Sequence, residues 1–169
     1  MRNGRAGSFS RVKIKSLKDL KKIISGLRAK NKKIVFTNGC FDILHYGHVK
    51  YLEDAKNKGD VLVVAVNSDK SIRRIKGTGR PVVKQQDRMG VIAALASVDY
   101  VTLFSQDTPI KVIQELKPDV LIKGSDWQKE RIVGADFVCG YGGKVATVKL
   151  VAGHSTTKLI NKIAQRTCC

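Results

Sequence analysis

Residues 60–69, DVLVVAVNSD, form an unbroken apolar run closed by Asn-Ser-Asp. A strand with one wet face alternates apolar and polar side chains. A run with no polar face belongs to a strand covered on both sides, the pattern of parallel sheets. This segment therefore demands a sheet sandwiched between layers, and the rest of the chain has to supply the covers.

It does so by alternating strands with amphipathic segments. SLKDLKKIISGLRAKN (16–31) places Leu17, Leu20, Ile23, Ile24 and Leu27 on one helical stripe. Ser16 followed by Asp19 gives that helix a capping-box-like start. KKIVFTNG (32–39) predicts a strand, and YGHVKYLEDAKNKG (46–59) a helix closed by Gly59. A polar stretch, KSIRRIKGTGRPVVK (70–84), follows the apolar run and reads as a basic loop. QQDRMGVIAALASV predicts a helix, DYVTLF a strand, TPIKVIQELKP a helix with Pro109 near its first turn, and DVLIKG a strand. GGKVATVKL is one more strand, and STTKLINKIAQR closes as a helix. Strands and helices in alternation predict a Rossmann-like, three-layer α/β/α fold with a mainly parallel sheet and right-handed crossovers. One domain is expected over 13–166, with a flexible basic arm over 1–12 and a tail over 167–169. In such sheets ligands bind beyond the carboxyl ends of the strands. The loops Asn38–Asp42, Asn67–Asp69, Lys123–Asp126 and Ala152–Thr156 should then converge on one edge.

Lys and Arg number 32 against 14 Asp and Glu, a net charge of +18. Such a surface attracts polyanions, either nucleic acid or phosphorylated small molecules. No RNA-binding aromatic signature or zinc-finger spacing is present and aromatics are 6%, so nucleic-acid binding is the weaker of the two. No stretch approaches the ~20 apolar residues of a membrane helix. The basic N-terminus lacks the apolar core of a secretory signal, and a cytoplasmic protein is expected. Cys40, Cys139, Cys168 and Cys169 form no paired CxxC pattern, and a disulfide framework is not expected.

Residues 39–48, GCFDILHYGH, carry the chemistry. His45 and His48 are three apart and share a helix face. Gly47 between them lets a ligand approach the backbone. The free N–H groups and positive dipole end of a helix start favour an anion there. Phosphate binding is the reading this favours. A metal site is the rival, which would want a third ligand nearby, and two incidental histidines are the bland alternative.

HYGH resembles the HxGH signature of the nucleotidyltransferase superfamily that includes the cytidylyltransferases. STTKLI, about a hundred residues downstream, resembles the second signature of that superfamily. Over residues 16–166 the chain is most similar to the adenylyltransferase domain of ADP-heptose synthase. TNGCFDILHYGH, LVVAVNSD, KGTGRPV, the Arg88-Met89 pair, LIKGSDW and GGKVATV carry this likeness. Glycerol-3-phosphate cytidylyltransferases are also similar, but they usually differ at Asn38, Cys40 and Asn67 and lack the Lys123-Gly124 pair, whereas Trp127 points toward them. His154, just before STT, departs from both groups.

The resemblance implies transfer of AMP from ATP to D-glycero-β-D-manno-heptose 1-phosphate, giving ADP-heptose and pyrophosphate, with magnesium accompanying ATP and no protein-only metal site. It implies a homodimer or higher homo-oligomer, and a separate heptose kinase upstream. The alternative within the same chemistry is a cytidylyltransferase acting on glycerol 3-phosphate or a similar phosphorylated alcohol. The alternative of another class is a basic nucleic-acid-binding module. On the first reading His45, His48, Lys50 and Arg88 are the catalytic set. Lys50 is otherwise a solvated helix lysine. Thr37, Asn38, Gly39, Phe41, Gly47, Lys123, Gly124, Asp126, Ser155, Thr156 and Thr157 bind the nucleotide. Asp42, Asn67, Lys76 and Arg80 bind the sugar phosphate, with Gly77 and Gly79 forming the hinge of a mobile lid.

Overall fold

A computed structural model describes residues 12–128 and 131–166. The basic arm apart from its last residue, and the tail with Cys168 and Cys169, lie outside the described residues.

The elements run α1 (Leu17–Arg28), β1 (Ile34–Gly39), α2 (Tyr46–Lys56), β2 (Val61–Asn67), α3 (Asp69–Lys76), α4 (Gln85–Ala94), β3 (Tyr100–Phe104), α5 (Ile110–Leu116), β4 (Val120–Gly124), α6 (Ala135–Gly140), β5 (Lys144–Val148) and α7 (Thr156–Arg166). The five strands form one sheet of order β3-β2-β1-β4-β5, parallel throughout. The apolar run of β2 is buried along its whole length. Its side chains alternate between the two faces, as the period of a strand requires. Leu62, Val64 and Val66 pack with Leu52 and Ala55 of α2 and Met89, Ile92 and Ala93 of α4. Val61, Val63 and Ala65 pack with Leu20 and Ile24 of α1, Val112, Ile113 and Leu116 of α5, and Val138 of α6. The three-layer expectation is met.

Local signals place most of the boundaries. Ser16 caps α1 by accepting from the Asp19 N–H at 3.1 Å. Pro109 sits one position earlier than a first-turn residue, at the N-cap of α5. Beside the outer edge of β3, Ile14 bridges to Val101, the Lys15 N–H donates to the Val101 carbonyl at 2.9 Å, and Lys13 Nζ reaches the Leu95 and Val98 carbonyls. Covering an open strand in this way removes a template for unwanted pairing.

Two elements differ from the sequence expectation. The first half of the basic stretch is a helix, α3, capped by Ser68, whose Oγ accepts from the Ser71 N–H. Only Ser71 and Ile72 of α3 are buried, too few apolar residues to show a helical stripe. The six-residue α6 has no counterpart among the predicted elements, for the same reason of length.

Candidate active site

Strand order reverses between β1 and β4, and a crevice opens at such a point beyond the carboxyl ends of the strands. Segments following β1, β4 and β5 meet there and enclose a cavity of about 360 Å³. From β1 come Asn38, Gly39, Cys40, Phe41 and Asp42, continuing into His45, Gly47 and His48 at the head of α2. The end of β4 gives Lys123 and Gly124, the loop after it gives Asp126 and Trp127, and the segment after β5 gives Leu150, Val151 and His154 to Thr157. Three of the four expected loops converge. Asn67–Asp69 does not reach the cavity wall, because β2 lies one strand away from the reversal.

His45 is the N-cap of α2 and His48 its third residue. Their rings stack with centroids 3.8 Å apart and planes 22° from parallel. Phe41 meets His48 edge-on, with ring centroids 5.5 Å apart. The His45 backbone N–H donates to His48 Nδ1 at 3.4 Å. That nitrogen accepts, so the neutral ring carries its proton on Nε2. Burial pulls His48 down to about 4, helped by His45 and Lys76, with Asp42 opposing. His45 is lowered too, by burial and then by His154. Both rings are therefore neutral at pH 7. Each has one N–H to donate and holds no net charge that a buried site would penalise. His45 Nδ1 is buried and has no hydrogen-bond partner among the described residues.

A titration checks this. In the free protein the His48 imidazole followed by NMR should titrate near pH 4, whereas an ordinary histidine titrates near 6.5. Because the folded-state value is the lower one, the unfolded chain binds the extra proton first. Stability falls as pH drops from about 6.5 toward 4. A midpoint above 6 would contradict the geometry.

Gly47 is required for a steric reason. A Cβ there would lie 2.9 Å from His154 Cβ and 3.1 Å from the His45 ring.

The loop after β1 is bent by two left-handed residues, Phe41 (φ 48°) and Ile43 (φ 49°). For a β-branched isoleucine this is a strained conformation. The turn directs Asp42 inward, where it is 1% exposed. Asp42 accepts from Arg80 Nε at 2.8 Å, from the Val82 N–H at 3.0 Å and from the Val83 N–H at 2.9 Å. Burial alone would raise its carboxyl, but the two N–H groups and Arg80 outweigh it and hold it below the usual range. The Asp42 carbonyl accepts from Thr156 Oγ1 at 2.7 Å, fastening the head of α7 to the β1 loop. The segment expected to swing as a lid is thus tied down at Arg80, Val82 and Val83. Arg80 lines the cavity, yet its Nε is engaged with Asp42, and Lys76 is the neighbouring lining cation without an ion pair among the described residues.

Four predicted site residues lie off the cavity wall. Thr37 is fully buried beneath it; its Oγ1 shares a 2.6 Å hydrogen bond with Tyr51 Oη and donates to the Ile122 carbonyl at 3.0 Å. Asn67 is buried and donates to Ser71 Oγ. Lys50 faces away along α2 in an ion pair with Asp54 at 2.5 Å, the ordinary pairing of helix residues four apart. Arg88 is 2% exposed and bonds to the carbonyls of Val83, Cys40 and Asn67 and to Asp69 Oδ1. It is a keystone under the β1 loop, not a hand on the substrate. The other predicted residues line the cavity.

Sequence reasoning missed Cys40, Tyr51, Trp127, Leu150, Val151 and His154 as lining residues. Tyr51 follows the histidines on α2 at helical spacing, a signal that was available. Lys123 is drawn down to about 8 by burial, with Cys40 and Asp126 opposing. Its Nζ donates to the Asn38 carbonyl at 3.3 Å and lies 5.8 Å from the Trp127 ring centre.

Among known proteins, a family model described as cytidylyltransferase-like matches residues 36–162. Bifunctional protein HldE of Geobacter metallireducens is 54% identical over 156 residues, 92% of this chain and 32% of that protein. Its namesake in Syntrophotalea carbinolica is 49% identical over 154 residues, 91% of this chain and 31% of that protein. The chain thus spans about a third of the length of these relatives. A solved structure, the lipopolysaccharide core biosynthesis protein from Thermoplasma volcanium, superposes with a TM-score of 0.59 at 31% identity, covering 71% of this chain and 97% of that one. Pantoate-beta-alanine ligase from Francisella tularensis shares the fold alone, with a TM-score of 0.61 at 18% identity over 90% of this chain and 77% of that one. The match takes in both the histidine pair and the Ser-Thr-Thr start of α7, and the chain belongs to the cytidylyltransferase-like family.

Proposed function

We propose that the protein is an adenylyltransferase that moves AMP from ATP to D-glycero-β-D-manno-heptose 1-phosphate, releasing pyrophosphate and ADP-heptose for surface glycans such as lipopolysaccharide. The observation that carries the reading is the meeting of two helix N-termini over one cavity. The heads of α2 and α7 both open on it, with two stacked neutral imidazoles on one side and Ser155, Thr156 and Thr157 on the other. Unsatisfied N–H groups at two helix starts favour a polyanion with several phosphates. The HldE relatives, similar over nearly the whole chain, support the choice of ATP and heptose phosphate.

The chemistry follows from these groups. An oxygen of the sugar 1-phosphate attacks the α-phosphorus of ATP. The bond from that phosphorus to the α,β-bridging oxygen breaks, and its electron pair leaves with pyrophosphate. The nucleophile is already ionised at pH 7, so no general base is needed, and catalysis consists of positioning and charge stabilisation. His45 and His48 donate N–H bonds where negative charge grows. Lys123, half-buried and cationic, offsets the repulsion between the two anions, and Lys76 adds a second charge at the rim. Asn38 and Gly39 shape the floor on which the nucleotide lies.

Magnesium belongs to the same reading as an ion brought by ATP, where it neutralises phosphate charge. The wall holds two carboxylates, Asp42 and Asp126. Asp42 is taken up by Arg80 and two backbone N–H groups, which leaves Asp126 to face the ion. One carboxylate with phosphate oxygens and water is a set that magnesium accepts. A kinase acting beforehand supplies the sugar phosphate, and the working unit is a homodimer or higher homo-oligomer in the cytoplasm. No helix among the described residues is long and apolar enough to cross a membrane.

The test is pyrophosphate release with magnesium in four combinations, ATP or CTP with heptose 1-phosphate or glycerol 3-phosphate. Release with ATP and heptose phosphate alone is expected. Release with CTP and glycerol phosphate instead would overturn the substrate.

A further inference from the structure

His154 is the third histidine of the chain, and the nucleotidyl-transfer reading leaves it without a role. A second cavity of about 390 Å³ adjoins the first, and His45, His154 and Ser155 line both. Its other polar walls are Tyr46 and two lysines one turn apart on α7, Lys158 and Lys162, and no carboxylate among the described residues lines it. A hollow with two lysines, two imidazoles and no acid suits an anion.

His154 is exposed and lies against the head of α2. Its Cβ packs on Gly47, and its ring lies 5.7 Å from that of Tyr46 and 6.0 Å from that of His45. His154 Nδ1 is 3.1 Å from the Ala152 carbonyl. A carbonyl only accepts, so Nδ1 carries the proton and a neutral ring presents a bare lone pair at Nε2. This reverses His48, whose Nε2 already carries its proton. A phosphate oxygen can be held at His154 only if Nε2 gains a proton.

We propose that His154 recognises the β- and γ-phosphates of the nucleotide as an imidazolium, taking up one proton as they bind and guiding them past His45 toward Lys158 and Lys162. The α-phosphate stays in the first cavity with His45 and His48, so the leaving pyrophosphate has a site of its own. The titratable groups facing His154 are His45 and Tyr46 from α2 and Lys158 and Lys162 from α7. This inference rests on the nucleotidyl-transfer reading but not on the choice of base or sugar.

Calorimetric titration with magnesium pyrophosphate, and with AMP as control, tests it between pH 6 and 8 in two buffers of different ionisation heat. The intact protein should bind pyrophosphate more tightly at pH 6, by up to about tenfold per unit, the limit for one proton. The heats should show net proton uptake. His154→Gln should lose that uptake and bind pyrophosphate several-fold more weakly at pH 6. AMP affinity should be the same in both proteins. Protonation of pyrophosphate itself is common to both and cancels in the comparison. An equal pH slope in His154→Gln, or no pyrophosphate binding at pH 6, overturns the proposal. Failure of the function reading would appear elsewhere, as absent AMP transfer to heptose phosphate while this proton-linked binding persists.

Discussion

Replacing His48 with asparagine lowers kcat for the proposed AMP transfer by on the order of 10²–10³-fold, the cost of one preorganised donor to developing charge. KM for ATP moves much less. Asparagine can still accept from the His45 N–H, the bond that His48 Nδ1 receives at 3.4 Å, so the start of α2 keeps its shape. It cannot reach as far as Nε2, so the donor is lost while the cap survives. Steady-state kinetics beside an unchanged circular dichroism spectrum separate the two effects. A fall of less than about fivefold would remove His48 from the chemistry, since even a modest donor contributes more than that.

Arg88→Met costs about 3–5 kcal/mol of folding stability, the range for stripping one partner from a buried ion pair. The guanidinium joins three carbonyls, of Val83, Cys40 and Asn67, to the Asp69 carboxylate. Methionine fills similar volume but leaves four acceptors without a donor. Lysine does not rescue it, because one ammonium cannot serve acceptors spread over a planar fork. Urea denaturation reads the loss. A change below about 1 kcal/mol, the level of an exposed pair, would mean that Arg88 is not the keystone it resembles.

These two residues also mark what could be read from the chain. His48 was legible because its neighbours fix its setting: a strand before it, a glycine beside it, a helix after it. The β2 run was legible because a segment without a polar face has one stable environment. Arg88 belongs to the expected catalytic set and is instead interior. Among 32 lysines and arginines, local sequence does not mark the one whose acceptors come from positions 40, 67, 69 and 83. Asn67 fails in the same way. Its place on β2 was right, but its distance from the cavity is set by sheet order, which alternation alone leaves open. Asp42 was predicted to touch substrate; it lines the cavity, yet its oxygens serve Arg80, Val82 and Val83, an arrangement that requires the following loop to fold back over it.

The bond from Thr156 Oγ1 to the Asp42 carbonyl joins residues 114 apart in sequence. It has a consequence for the order of synthesis. A ribosome delivers the histidine loop well before the head of α7, which supplies the opposite wall of the cavity. Until β5 has paired with β4 and α7 has docked, the nascent protein presents only half a cradle. Competence to hold a nucleotide therefore arrives in a single late step, gated by long-range closure, which is slow compared with local helix formation.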